Sequence, residues 1–396
     1  MACEATAVRV HSVASHAPGA ALAASRIASS RATMRILSIL LLCSAILPAY
    51  AAEPKLVNVV RGLANPWAVA FLPDGRFLVT ERAGRMRIVE RDGRLGAPLA
   101  GLPAVDAGGQ CGLLDVVLDP KFSDNAWVYW SYAEAGEGGN STVVARGRLQ
   151  DNRLADVQVI FRQQPKVSST LHCGSRLVFA RDGRLFVALG DRFSRKDDAQ
   201  KLDNHLGKVV RIEADGKVPP DNPFVATPGA RPEIWSLGHR NIQGAALHPT
   251  SGELWATEHG PQGGDELNRV LPGRNYGWPL LTFGRNYGIG TRIGEEGPKA
   301  GFEQPLKTWL PVSVAPSGMA FLSADRYPEW KGNLFIGTLR GQALLRLELD
   351  GNNSVVKEER LLGSANARVR DVRQGPDGYL YLLTDSADGQ LLRLMP

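Results

Sequence analysis

The chain has only four cysteines in 396 residues, too few for a fold stapled by disulfides. Its longest apolar run is also too short for a membrane span, which takes about twenty residues. Lys and Arg are nowhere interleaved with aromatics in one run, so the usual nucleic-acid surface is not expected. Long segments with a 3.6-residue apolar period are nearly missing as well, which argues against a helical protein. Glycine and proline, by contrast, are plentiful, at 43 and 25.

The first residues read as an address rather than as fold. Residues 1–33 are rich in Ala and Ser and lack apolar periodicity, and they are expected to be an upstream extension with Met34 as the working start. Arg35, the apolar run Ile36 to Leu47 and then Pro48-Ala49-Tyr50-Ala51 have the charged start, core and small-residue end of a secretory signal over 34–51. Cleavage is expected after Ala51 or Ala52, giving a periplasmic protein. A lipoprotein site at Cys43 fits less well, because Leu42 before it is larger than such sites accept. Residues 1–51 contain Arg9, Arg26, Arg31 and Arg35 against Glu4, so the net charge of +6 becomes +3 for the remainder.

Across residues 55–396 one pattern recurs six times: an apolar segment, a polar turn and a second apolar segment. Examples are Trp67 to Phe71, Pro73-Asp74-Gly75 and Phe77 to Thr80; or Leu177 to Phe179, Asp182-Gly183 and Leu185 to Leu189. Further short strands follow at Arg85 to Val89, Val209 to Ile212, Leu344 to Leu349 and Gln390 to Leu394. Short strands with Asp-Gly turns predict an all-β protein. Repeats longer than one four-stranded sheet needs predict a six-bladed β-propeller with loop insertions over the central tunnel mouth. Ser194 to Pro232 and Tyr276 to Val312 are the longest insertions.

The densest polar stretch runs from Gly238 to Asn268. His239, Arg240 and Asn241 precede one strand, and Glu258-His259-Gly260-Pro261 with Asp265 and Glu266 follow the next. A hairpin between the strands brings both polar ends to one edge of a sheet. Singly, these are a surface cation, a Gly-Pro turn and a solvated acidic pair. Together they suggest a site, with the carbonyls of Gly260 and Pro261 free to face a hard cation such as calcium. Gln110 and His172 occupy equivalent places before the second and third repeats, and Asp191 is placed to hold the His172 ring in one tautomer.

The ordered set of motifs resembles the soluble dehydrogenases of glucose and aldose sugars that depend on pyrroloquinoline quinone (PQQ), and among them the periplasmic aldose branch. It includes Gln110-Cys-Gly-Leu-Leu-Asp115, His172-Cys-Gly-Ser-Arg-Leu177, Gly238-His-Arg-Asn241, Glu258-His-Gly-Pro261, Asn275-Tyr-Gly-Trp-Pro279, Arg368-Val-Arg-Asp371 and Leu383-Thr-Asp385. The resemblance implies a propeller in which Ca2+ holds and polarises PQQ. It implies His172 as general base toward the sugar C1 hydroxyl, Asp191 as its orienting partner and Arg240 as the charge beside the quinone. Gln110, Asn241, Tyr287, Arg340, Arg368 and Arg370 are the implied cofactor contacts, guanidinium being the natural partner of a tricarboxylate. Gly260 and Pro261 are implied ligands of the calcium at the cofactor, and Glu266 with the Tyr276 carbonyl of a second calcium.

The implied partners are a small aldose and an external electron acceptor. Arg340 stands where the glucose branch has Lys, and the loops after Tyr276 lack that branch's further calcium ligands, so a monomer or weak dimer is expected. Cys111 and Cys173 each follow a proposed site residue; they either form a disulfide or are two small buried apolar residues. A calcium-dependent propeller hydrolase, such as a lactonase, would present carboxylates to its metal. A non-catalytic binding propeller would need no convergence of His172, Asp191, Arg240, Arg368 and Arg370.

Overall fold

The computed structural model describes residues 54–396, so the expected extension and signal segment lie outside the described residues. Six antiparallel four-stranded sheets account for nearly all of its regular structure. In chain order the first five run from Pro66 to Pro98, Leu113 to Arg162, Leu177 to Leu237, Ile242 to Trp309 and Pro316 to Leu361. The sixth is completed by both ends of the described chain. Val369–Gln374, Leu380–Thr384 and Gly389–Met395 form three strands, and Lys55–Leu63 pairs antiparallel with the last, Lys55 opposite Met395 and Asn58 opposite Leu392.

Each blade contributes its first strand to the ring's inner wall, and each of these touches the first strand of the next blade around the circle. The apolar core is divided accordingly into six clusters, one between each pair of neighbouring blades. Second strands such as Phe77–Glu81, Leu254–Glu258, Leu334–Thr338 and Leu380–Thr384 are buried along their whole length. They lie between two sheets, so the inside-outside alternation of a half-buried strand gives way to continuous burial. Each of the six repeats read from the sequence lies in one blade.

The strand Lys55–Leu63 left little trace in the sequence, because only Val60 and Leu63 are buried in it. The supposed insertion from Ser194 to Pro232 is also not one loop. Lys208–Ile212 within it is the third strand of its blade, the short strand expected at Val209 to Ile212. The segment from Tyr276 to Val312 does reach the tunnel mouth: Trp278 meets Asp191 and Tyr287 meets Arg240.

Candidate active site

All six inner strands begin at the same end of the ring, so the residues just before them converge. Asn65, Gln110, Asn241, Ala315 and Arg368, each preceding an inner strand by one to a few positions, line a cavity of about 490 Å³ together with Arg82, Gln243, His259, Arg370 and Asp385. Behind it the tunnel is plugged by charge. Arg176 lies 2.9 Å from Asp371, Arg373 lies 2.7 Å from Asp115, and the Arg176 guanidinium sits 4.1 Å from the centre of the Trp67 ring. Arg176 Nε also donates to the Gln243 carbonyl at 2.6 Å, which ties the plug to the cavity wall.

His172 precedes the inner strand of the third blade with a left-handed backbone (φ 48°) and is only 5% exposed. Its Nδ1 is 2.6 Å from Asp191 Oδ1, and its backbone N–H donates to Gln110 Oε1 at 2.9 Å. Asp191 accepts in turn from the Phe193 N–H at 2.7 Å and, on its other oxygen, from the Trp278 indole at 2.7 Å. A carboxylate on Nδ1 fixes the proton there and leaves Nε2 as the basic nitrogen. Burial holds the imidazole pKa below its ordinary value against the opposing pull of Asp191, with Arg240 adding to the lowering. Burial works to raise the Asp191 pKa, but His172 and Arg240 outweigh it and keep the carboxyl ionised. Gly190 makes this approach possible: a Cβ there would lie 1.9 Å from the His172 carbonyl oxygen.

Arg240 is held on several sides. Its backbone N–H donates to Glu258 at 2.7 Å, its Nη1 to the His259 and Gly260 carbonyls at 2.9 and 2.7 Å, and its Nη2 to Tyr287 at 3.3 Å. The guanidinium stands 5.2 Å from the centre of the Trp278 ring. On the opposite wall Asp385 bridges Arg368 at 2.7 Å and Arg370 at 3.1 Å, while Arg370 also reaches Gln243 at 3.2 Å. Burial acts to raise the Asp385 pKa, and the two arginines more than reverse it. One carboxylate facing Arg82, Arg368 and Arg370, with the amides of Gln110, Asn241 and Gln243 nearby, makes the lining donor-rich and net positive. That chemistry fits a ligand with several carboxylates.

Gly260, Glu266 and Tyr276 border a second, much smaller cavity shared with Glu258, Arg240 and Trp278. Burial, then the charge of Glu258 beside it, pushes the Glu266 pKa up to about 8. Two carboxylates at one enclosed space fit a divalent cation. Among the described residues, no three His, Cys, Asp or Glu side chains are grouped as metal ligands, so carbonyl oxygens would supply the rest of such a site. Pro261 is buried against Gly284. Asp265 serves the loop instead, accepting from the Gly260 N–H at 2.9 Å and, on its other oxygen, from Ser313 at 2.7 Å.

Of the residues expected at the site, Gln110, Asn241, Arg368 and Arg370 line the large cavity. His172 joins it through Gln110, and Arg240 joins the small one. Tyr287 is exposed yet bonded to Arg240, whereas Arg340 is exposed beside Leu339, which lines the wall. His239 is turned away, pairing with Glu258 at 3.1 Å and stacking on Tyr276. Cys111 and Cys173 are joined as a disulfide, their Cα atoms 5.7 Å apart, so the bridge ties the loops bearing Gln110 and His172. Sequence alone assigns no role to Trp278, Gln243 or Asp385. The first and last stand inside motifs quoted above, and Gln243 is the second residue after Asn241, a strand spacing that faces the same wall.

A family model for glucose / sorbosone dehydrogenases matches residues 63–393, which spans all six blades. The chain belongs to the glucose/sorbosone dehydrogenase family. Within that family it is 47% identical over 354 residues to the aldose sugar dehydrogenase YliI of Escherichia coli, covering 87% of this chain and 94% of the relative. A crystal structure of a glucose dehydrogenase superposes with a TM-score of 0.83 at 52% identity, over 86% of this chain and 99% of the other. The PQQ-bound aldose sugar dehydrogenase of Streptomyces coelicolor superposes with a TM-score of 0.72 at 29% identity, over 87% and 98%.

Proposed function

We propose that this chain oxidises the C1 hydroxyl of aldose sugars to the lactone with PQQ and Ca2+, passing the electrons to an external acceptor after export to the periplasm. The observation that supports it best is the His172–Asp191–Trp278 chain beside a cavity walled by arginines and amides. Bound there, calcium-polarised PQQ would supply the hydride acceptor. Arg368, Arg370, Gln110, Asn241 and Tyr287 would hold it, with Arg340 at the lip. Glu266 with the Tyr276 carbonyl would hold one calcium; the Gly260 carbonyl accepts from Arg240 Nη1 and would have to exchange that bond to hold another with the Pro261 carbonyl.

His172 Nε2, neutral near pH 7, takes the proton of the sugar hydroxyl. Asp191 keeps the ring oriented and stabilises the imidazolium that forms, and Trp278 fixes Asp191. Arg240 sets a positive charge where negative charge develops as hydride leaves the sugar. The test is reconstitution of the metal-stripped mature protein with PQQ and calcium, followed by dye reduction with a panel of aldoses beside His172→Ala. Turnover that needs both additions and disappears in the variant supports the reading. Absence of quinone binding at micromolar PQQ sinks it.

A further inference from the structure

Arg192 and Phe193, directly after Asp191, are consecutive non-glycine residues in the left-handed region, at φ 59° and 64°. Such residues usually stand singly, and a bulky aromatic is among the least suited to the conformation. The strain must be offset by neighbouring contacts. Arg192 supplies them: its guanidinium is fully buried, donating to Cys173 Sγ, Asn140 and the Ser169 carbonyl, and the Phe193 N–H is bonded to Asp191.

Phe193 itself gains little from this arrangement. It remains 46% exposed, although folding alone would favour covering such a ring. Among the described residues its one aromatic neighbour is the imidazole of His172, at 5.2 Å between ring centres and nearly perpendicular. A strained backbone, braced from behind by a buried cation, thus presents an exposed apolar surface beside the proposed base. Backbone strain at such a place is a mark of function.

We propose that Phe193 is a substrate-specificity residue, an apolar wall against which the C–H face of the sugar packs while its C1 hydroxyl reaches His172. This rests on the aldose dehydrogenase reading. A pyranose presents C–H groups on one face and hydroxyls at its rim, so a ring at the base's edge discriminates among sugars by the face they turn to it.

The test uses the reconstituted full-length mature protein with Phe193→Ala, Phe193→Gly and Phe193→Trp, reading kcat and KM over several aldoses, PQQ affinity by absorbance titration, and melting temperature. Phe193→Ala and Phe193→Gly are expected to raise KM about tenfold with kcat and PQQ affinity nearly unchanged, and to change the ranking of the sugars. Phe193→Trp should retain a low KM. Phe193→Gly should keep or raise the melting temperature because glycine relieves the left-handed backbone, an outcome a purely structural ring would not give. KM within twofold of wild type for every sugar in the Ala and Gly variants overturns the proposal, as does a fall in kcat alone. If wild type binds PQQ but turns over no aldose, or binds no PQQ, the underlying reading fails and this inference with it.

Discussion

Asp191 joins two residues that lie far apart in the chain: one carboxylate oxygen is 2.6 Å from His172 Nδ1, and the other accepts from the Trp278 indole at 2.7 Å. The His172 ring is thereby anchored to the long insertion of the fourth blade. Asp191→Asn retains the shape but can present its amide to Nδ1, which turns the proton to the wrong nitrogen. We expect kcat to fall by about a hundred- to ten-thousand-fold with PQQ affinity preserved, measured by steady-state kinetics beside quinone titration. A variant with near-normal kcat would remove Asp191 from the mechanism.

The acid limb of kcat/KM should fall below pH 6.5, the ordinary histidine value, because burial lowers the His172 pKa. Stability has a related dependence. His172 and His205 both have lowered folded-state pKa values, with burial the leading cause. In the unfolded chain these rings bind protons that the folded protein refuses, so their contribution is intact above about pH 6.5 and is lost as pH falls toward the folded values. With calcium saturating, melting temperatures should therefore decline from about pH 6.5 to 5. A flat profile would show that these rings are not buried as neutral groups.

Calcium should stabilise the protein before any cofactor is added, by about 2.7 kcal/mol at roughly a hundred times its dissociation constant. Glu266→Gln should reduce that increment. In chelator the same substitution should raise the melting temperature at pH 8 and above, since the Glu266 pKa is pushed up to about 8. Between its ordinary value of 4.5 and about 8 only the folded state holds the Glu266 proton, so stability falls as pH rises through that window and the full cost of the buried carboxylate remains above it. Melting curves with and without calcium decide it, and equal calcium response in both proteins would exclude Glu266 as a ligand.

Removing the bridge with Cys111→Ser and Cys173→Ser should cost up to about 4 kcal/mol in denaturant unfolding, given the 62-residue separation of the pair. Thiol titration of the denatured, unreduced wild type should find neither cysteine free. Because the bridge ties the loops of Gln110 and His172, the double variant should also lose activity at temperatures where it is still folded.

Arg370→Lys should weaken PQQ binding about tenfold or more while the fold survives, because the guanidinium spans Asp385 and Gln243 in a way an ammonium cannot. Arg340→Ala, at an exposed position, should change it far less. Equal losses at both positions would mean that charge in general, not the wall geometry, holds the cofactor.

Much of the fold was legible because each blade repeats one local instruction, an apolar strand, a polar turn and a second apolar strand, and such signals need only a few adjacent residues. His172, Arg240, Arg368 and Arg370 were legible too, standing beside strand starts in recognisable motifs. Trp278 and Asp385 stood in such motifs without a role, since a role in a hydrogen-bonded chain depends on partners elsewhere. The closing strand Lys55–Leu63 was missed because most of its side chains face solvent and its pairing is with the far end of the chain.

Sequence by itself therefore determined the blade count, the family and most of the polar residues at the tunnel mouth, since these are written in short contiguous patterns. Only the tertiary structure decided which of them meet: that Asp191 lies between His172 and Trp278, that Asp385 bridges two arginines, that Cys111 reaches Cys173, and that His239 turns away. The reason is geometric. Closing the ring brings six strand starts, widely spaced along the chain, to one mouth, and contacts across that mouth depend on the closure rather than on any local run of residues.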